Sequence, residues 1–281
     1  MPHKRLFLAC LAGFVCAVLL ENIPAADRAV QDLFFSQGHW LITKADHARL
    51  KALFYTGPKV AIGIIGGICL AMALVSFLRP ALRARFGAWP PFFLLLGCSI
   101  LCVPLVAAGL KAVTGVHGPL DLIPYGGEHP HIGLLSQLLH HGAVGGGRDF
   151  PAGHASGGFA LTALWAMPTR RVWRALGLGI GLSAGWSMGL YQMARGEHFL
   201  SHTLATMFLA GCIIALLWDA CAAVAKRGGF LRCNPPSVMH LPRQQAGTWR
   251  APTAHHGKPV HLRRSGPVYN PDAKYYTKEM P

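Results

Sequence analysis

Six apolar stretches, with arginine-rich loops free of acid after the second and the fourth, decide what this chain can become. They lie at about 6–24, 59–78, 91–110, 154–167, 175–194 and 203–224. A bilayer core about 30 Å thick needs roughly 20 apolar residues per helix, with about 17 to 25 tolerated. Five of the six meet that length, and the fourth is short enough to start within the outer interface. Charged residues make up 13% of the 281 and hydrophobic residues 52%, whereas a soluble domain carries about a quarter charged residues. A water-soluble globule is thereby excluded, and the expected class is an all-α, polytopic membrane protein.

Charge orients the spans. Arg79, Arg83 and Arg85 follow the second stretch, and Arg170, Arg171 and Arg174 follow the fourth. Lys4 and Arg5 precede the first, and ten lysines and arginines against Asp272 and Glu279 follow the sixth. Basic loops stay on the cytoplasmic side, so both termini are expected inside, and the segments 111–153 and 195–202 meet on the outer face. The first stretch has a second reading as a cleaved signal peptide ending near Ala25 and Ala26. That reading leaves five helices with the same inside C-terminus.

Residues 1–225 are expected to form one transmembrane domain and 226–281 a basic, disordered cytoplasmic tail. The tail either associates with anionic lipid or is simply solvated. The polar segment 21–57 reads as a surface loop with short amphipathic helices, with Trp40 and Tyr55 as interfacial aromatics. Seven of the eight cysteines lie in apolar runs and Cys233 in the tail, so no disulfide is expected. Cys98 and Cys102, four apart, read as small buried hydrophobes.

The chemistry gathers in two short motifs. In GGRDFPAGHA at 146–155 a proline and a glycine precede a histidine at the start of an apolar run, which is how an anion site at a helix start is written. Gly153 lets a ligand come close to the backbone. In RGEHFLSH at 195–202, His198 and His202 share a helix face. Three readings stay open for them: a metal pair, interfacial histidines, or a catalytic histidine with support. Lys111 ends the third span, and an ionisable group at membrane depth is usually functional, although a lysine there also snorkels. Arg148 adds a further cation to the long 111–153 loop.

Together these residues resemble the type 2 phosphatidic acid phosphatase superfamily. Its first signature, a lysine with Arg-Pro beginning seven residues later, is similar to Lys111 with Gly118-Pro119. Its second, Pro-Ser-Gly-His, is similar to Pro151-Ala152-Gly153-His154. Its third, an arginine six before a histidine that is followed four later by aspartate, is similar to Gln192, His198 and His202. The resemblance covers about 111–211, and KAVTGVHGPLDLIPYGG and GHASGG look similar to a divergent bacterial branch. Gly118, Ala152, Gln192 and His202 depart from the family pattern.

The resemblance implies a six-helix transmembrane bundle of the phosphatase/haloperoxidase type in a bacterial cytoplasmic membrane, with its site facing outward. It implies that His198 attacks phosphorus and that His154 protonates the leaving oxygen and later serves as base. His202 stands where a carboxylate orients the nucleophile, while Lys111, Arg195, Arg148 and Gly153 hold the phosphate oxygens. Arg195 stands in for the arginine missing at Gln192, and Arg148 or His117 for the one missing at Gly118. The expected substrate is a lipid phosphate or diphosphate in the bilayer, with no metal, no cofactor and no nucleic acid. Two other readings stand beside it: a catalytically impaired binding or regulatory membrane protein, and a histidine-rich metal or haem protein.

Overall fold

The computed structural model describes residues 2–139 and 146–227. The predicted tail, from residue 228 on, and Cys233 within it lie outside the described residues. The architecture is all-α, with one very short hairpin. Helix α1 spans Pro2–Glu21, α2 Pro24–Gln31, α3 Lys44–Lys51, α4 Gly57–Leu78, α5 Pro80–Phe86 and α6 Trp89–Thr114. Helix α7 spans Leu134–Leu139, α8 Gly153–Ala160, α9 Arg171–Met193 and α10 Leu200–Arg227. Strands β1, Phe35–Ser36, and β2, His39–Trp40, pair antiparallel.

Among the described residues, four helices are long and apolar enough to cross a membrane: His3–Glu21, Lys44–Leu78, Trp89–Thr114 and Leu200–Arg227. Leu8, Val15, Ile64, Ile68, Leu101 and Leu105 leave their apolar side chains exposed on them, as a lipid-facing surface requires. The other two predicted spans are helical but fall short of that standard. Helix α8 has eight residues before the chain tightens into a six-residue 3-10 segment at Leu161–Ala166. Helix α9 is long enough, but Gly177, Gly179, Gly181, Gly185 and Gly189 dilute its apolarity.

Those glycines have a packing reason. A Cβ at Gly158 would lie 2.5 Å from the Gly185 nitrogen, and one at Gly181 2.3 Å from the Thr162 nitrogen. The backbones of α8 and of the 3-10 segment after it therefore touch α9 along a glycine seam. Lipid supplies no hydrophobic drive between helices, so close approach and van der Waals contact hold such pairs together. Around the seam, α6 and α10 close a core in which Val103, Ala155, Phe159 and Ala210 are wholly enclosed.

The segment 21–57 is more ordered than its polarity suggests. Thr43 and Asp46 form a capping box that starts α3 at Lys44. A π-helical segment, Ala52–Thr56, then carries the helix directly into α4, so the second span begins well before residue 59. Upstream, α2 and the hairpin fold over the C-terminal end of α9 and the N-terminal end of α10. Gln31 Nε2 donates to the Met193 carbonyl at 2.8 Å, and Ile42 N–H to the Ala194 carbonyl at 3.0 Å. Trp40 packs on Phe35 and Tyr125 in this cap.

Asp27 ties the cap to the start of α10. It accepts the Ser201 N–H at 3.0 Å through Oδ1 and the Ser201 hydroxyl through Oδ2, and it is buried. One side chain thus satisfies an orphan donor at a helix N-terminus. Asp27→Ala is expected to cost about 1–3 kcal/mol, the penalty for leaving such buried donors unmade. Thermal unfolding in detergent measures this, with Asp27→Asn falling between Ala and wild type; equal melting of all three would show that the cap contributes nothing.

Candidate active site

The segment preceding α8 is stitched to two helices before any catalytic group is placed. Thr114 Oγ1 donates to the Phe150 carbonyl at 2.6 Å, and Ala152 N–H to the His202 carbonyl at 3.2 Å. Thr206 Oγ1 bonds both the Ala152 and His202 carbonyls, at 3.1 and 2.9 Å. Ser156 Oγ donates to the Gly153 carbonyl at 2.6 Å and closes the first turn of α8. His154, at the second residue of α8, is thereby delivered to the stretch between α9 and α10.

There it meets His198. His154 Nδ1 and His198 Nε2 are 3.1 Å apart, with ring centroids at 5.3 Å. His198 is fully buried. Burial holds its pKa well below the ordinary histidine range, and the charges of His154, His202 and Lys111 push the same way. A neutral imidazole is the form that keeps a ring nitrogen lone pair available as a nucleophile.

His202, one turn further on, is also fully buried, with its ring centroid 5.9 Å from that of His198. It stands edge-on to Phe150 and Phe199 at 5.3 and 5.5 Å, and its ring nitrogens make no hydrogen bond among the described residues. It packs beside His198 as an aromatic ring where a carboxylate would act as an acceptor. Among the described residues, no three His, Cys, Asp or Glu side chains are grouped so as to hold a metal ion.

The predicted cations are placed unequally. Lys111 Nζ lies 3.6 Å from Asp149 Oδ1, and Asp149 Oδ2 accepts the Gly118 N–H at 2.9 Å. Burial pushes the Asp149 carboxyl above its usual range, while Lys111 and the Gly118 N–H pull it back. Gly153 lies against the Lys111 stem, whose Cδ would be 3.7 Å from a Cβ at that position. Arg195 donates to Gln192 Oε1 at 2.7 Å and to Glu197 Oε1 at 3.0 Å, with its guanidinium over the Tyr191 ring. The side chain thus reaches the position whose arginine is absent. Arg148 is exposed and takes part in none of these contacts. His117 stacks on His129 at 4.1 Å and lies 3.6 Å from Asp121.

A cleft of about 430 Å³ opens beside His154. Lys59, Lys111, Tyr55 and Ser156 line its polar part, and Ile62, Ile100, Pro104 and Met188 its apolar part. A second cavity, of about 340 Å³, lies toward the other end of α4 between Leu70, Phe77, Leu94 and Val224, and no ionisable group lines it. Only the first can take an anion.

Tyr55 and Lys59 are absent from the sequence-derived site. Tyr55 packs on His154 at 5.1 Å between ring centroids. Lys59 begins an apolar run just as Lys111 ends one, so the argument from membrane depth applied to it equally. Asp149 and Glu197, which pair with the two site cations, left no local signal beyond their charge.

No curated protein and no solved structure matches the chain significantly. A family model, that of the PAP2 superfamily, matches residues 65–224. The match runs from within α4 to near the end of α10 and takes in Lys111, His154, Arg195, His198 and His202, leaving Tyr55, Lys59 and the cap outside it. With more than half of its length and both histidine motifs inside that match, the chain belongs to the PAP2 superfamily.

Proposed function

We propose that the protein is an integral-membrane phosphatase or phosphotransferase that acts on a lipid phosphate or diphosphate through a phosphohistidine at His198. Members of the superfamily are generally phosphatases or phosphotransferases. The observation that carries the reading for this chain is the 3.1 Å contact between the buried His198 and His154 beside the cationic cleft. In this reading the chain crosses the cytoplasmic membrane six times with both ends inside, α8 and α9 completing the bundle. The site then faces outward at headgroup level.

His198 Nε2 attacks phosphorus as the bond to the leaving oxygen breaks. The electron pair goes to that oxygen, which takes a proton from the imidazolium form of His154 and leaves that ring neutral. Lys111 and Arg195 stabilise the charge on the non-bridging oxygens. Water, deprotonated by His154, then attacks the phosphohistidine and returns free His198 and phosphate; an alcohol in place of water makes the protein a phosphotransferase. His202 supplies packing without an anion, so the imidazolium character of the intermediate is stabilised less than beside a carboxylate.

The same substitution, with Lys111 and Arg195 each held by a carboxylate, favours a second reading: a binding or regulatory protein that has kept the fold. One experiment separates the two. Purified protein turning over a lipid phosphate labelled with ³²P is quenched in alkaline denaturant. Acid-labile label retained on His198 is the expected result, and no retained label during turnover overturns the phosphohistidine.

A further inference from the structure

The cleft beside His154 holds a cation that the two-histidine chemistry leaves unused. Lys59 lies one turn into α4, and its Nζ sits 5.7 Å from the centre of the Tyr55 ring. Tyr55 belongs to the π-helical segment Ala52–Thr56, and such segments recur at functional sites. Its ring in turn packs on His154. The sequence of contacts is therefore His198, His154, Tyr55, Lys59, leading away from the nucleophile.

The other two site cations are matched by acid: Lys111 by Asp149 at 3.6 Å and Arg195 by Glu197 at 3.0 Å. Lys59 has no carboxylate within ion-pair distance among the described residues. Lys59 is exposed, as are Val60 and Ile64 of the same helix, and a lysine serving only to snorkel runs along lipid toward water. Lys59 instead turns over Tyr55 and lines the cleft. An unmatched cation beside a membrane-depth cleft calls for an anion from outside the chain.

The position of Lys59 says which anion. If phosphorus is attacked at His198 and the leaving oxygen is protonated at His154, a group beyond His154 faces the leaving group. An uncharged lipid alcohol leaving a monoester has no charge for Lys59 to meet. A lipid phosphate leaving a diphosphate does, and its tail continues along Ile62, Ile100, Pro104 and Met188. We propose that Tyr55 and Lys59 form a leaving-group subsite for the inner phosphate of a lipid diphosphate, which makes lipid diphosphates the preferred substrate class.

This rests on the phosphohistidine reading. In the step it describes, His198 Nε2 bonds to the outer phosphorus and the bond from that phosphorus to the bridging oxygen breaks. The electron pair passes to the bridging oxygen of the departing lipid monophosphate, whose charge Lys59 holds. Water then releases the outer phosphate from His198, so one diphosphate and one water give one monophosphate and one phosphate.

Phosphate release by the full-length, detergent-solubilised protein from farnesyl diphosphate and farnesyl monophosphate tests it, because the two differ only in the second phosphate. Wild type is expected to show the higher kcat/KM on the diphosphate. Lys59→Ala is expected to lose about 10²-fold there, the low end of the loss expected when one contact to a developing charge is removed, and less than twofold on the monophosphate. Lys59→Arg should recover most of the loss, and unchanged melting of both variants excludes misfolding. Equal losses on both substrates, or no loss on either, overturn the subsite. Wild-type turnover of the monophosphate alone overturns the subsite and leaves the phosphohistidine reading standing; turnover of neither overturns both.

Discussion

Replacing His198 by alanine is expected to lower lipid-phosphate turnover by about 10⁴-fold or more, the scale seen when a nucleophile in a cooperating catalytic group is removed. Three observations set that size. His198 is fully buried, so no water takes its place without rearrangement. Its pKa is held well below the ordinary range, chiefly by burial, so it attacks as the free base. Its partner His154 is engaged through Nε2, the same atom proposed to meet phosphorus. Alanine also leaves a void beside His154 and His202, so His198→Asn, closer in volume, is the control for folding. It should melt near wild type and be equally inactive; turnover retained by either variant would sink the assignment.

The depressed pKa has its own consequence for the rate. A histidine with an ordinary pKa of about 6.5 protonates and loses its lone pair as the pH falls through that value. With the folded pKa lowered, His198 stays neutral below it, so the acid limb of kcat/KM due to the nucleophile should lie well under pH 6.5. The stability sign runs the other way. Below about pH 6.5 the unfolded chain binds a proton that folded His198 refuses, so stability falls with falling pH. Activity that collapses at pH 6.5 while the protein stays folded would contradict the burial assigned to this ring.

How much of this could be read in the residues depends on the range of the forces involved. The apolar stretches announce helices because their signal is local, and the arginine loops predict an orientation for the same reason. The meeting of His154 with His198 was accessible only through topology, since 44 positions separate them. The cap was legible only as short amphipathic helices, and its contacts were not. Asp27 and Ser201 lie 174 positions apart, and strands of two residues carry no period. Tyr55 and Lys59 were hidden by a boundary: a polar loop followed by an apolar run gives no hint that the helix began at Lys44 and passed through a π segment. Helices α8 and α9 show the reverse limit, where glycines that weaken the apolar signal are the ones that let the backbones touch.

Gly118 gives the second large effect. The family's first signature has arginine there, and restoring it in Gly118→Arg is expected to inactivate the protein instead of improving it. The backbone at Gly118 is ordinary, with φ −79°, so conformation is no obstacle. Space is. A Cβ would sit 2.4 Å from the Glu197 carbonyl oxygen and 3.2 Å from Asp149 Oδ2. The Glu197 carbonyl belongs to backbone that cannot drift, because Leu120 N–H donates to the neighbouring Gly196 carbonyl at 2.7 Å and Gly118 N–H to Asp149 at 2.9 Å. Making room for any side chain therefore separates the 118–120 turn from 196–197, breaks the Asp149 contact that also holds Lys111, and shifts the residue next to His198. Overpacking of this kind costs about 1–3 kcal/mol and occasionally more, and a 1 Å displacement at a reacting group costs about 10²-fold in rate. Because the clash begins at Cβ, Gly118→Ala should already show most of both losses. Melting and phosphate release measured on Ala and Arg side by side decide the matter: an active, fully stable Gly118→Arg would mean that the turn is loose enough to admit the family's cation. Loss in both variants would mean that here the Glu197 carbonyl and the Asp149 carboxylate occupy its place, leaving phosphate binding to Lys111 and Arg195.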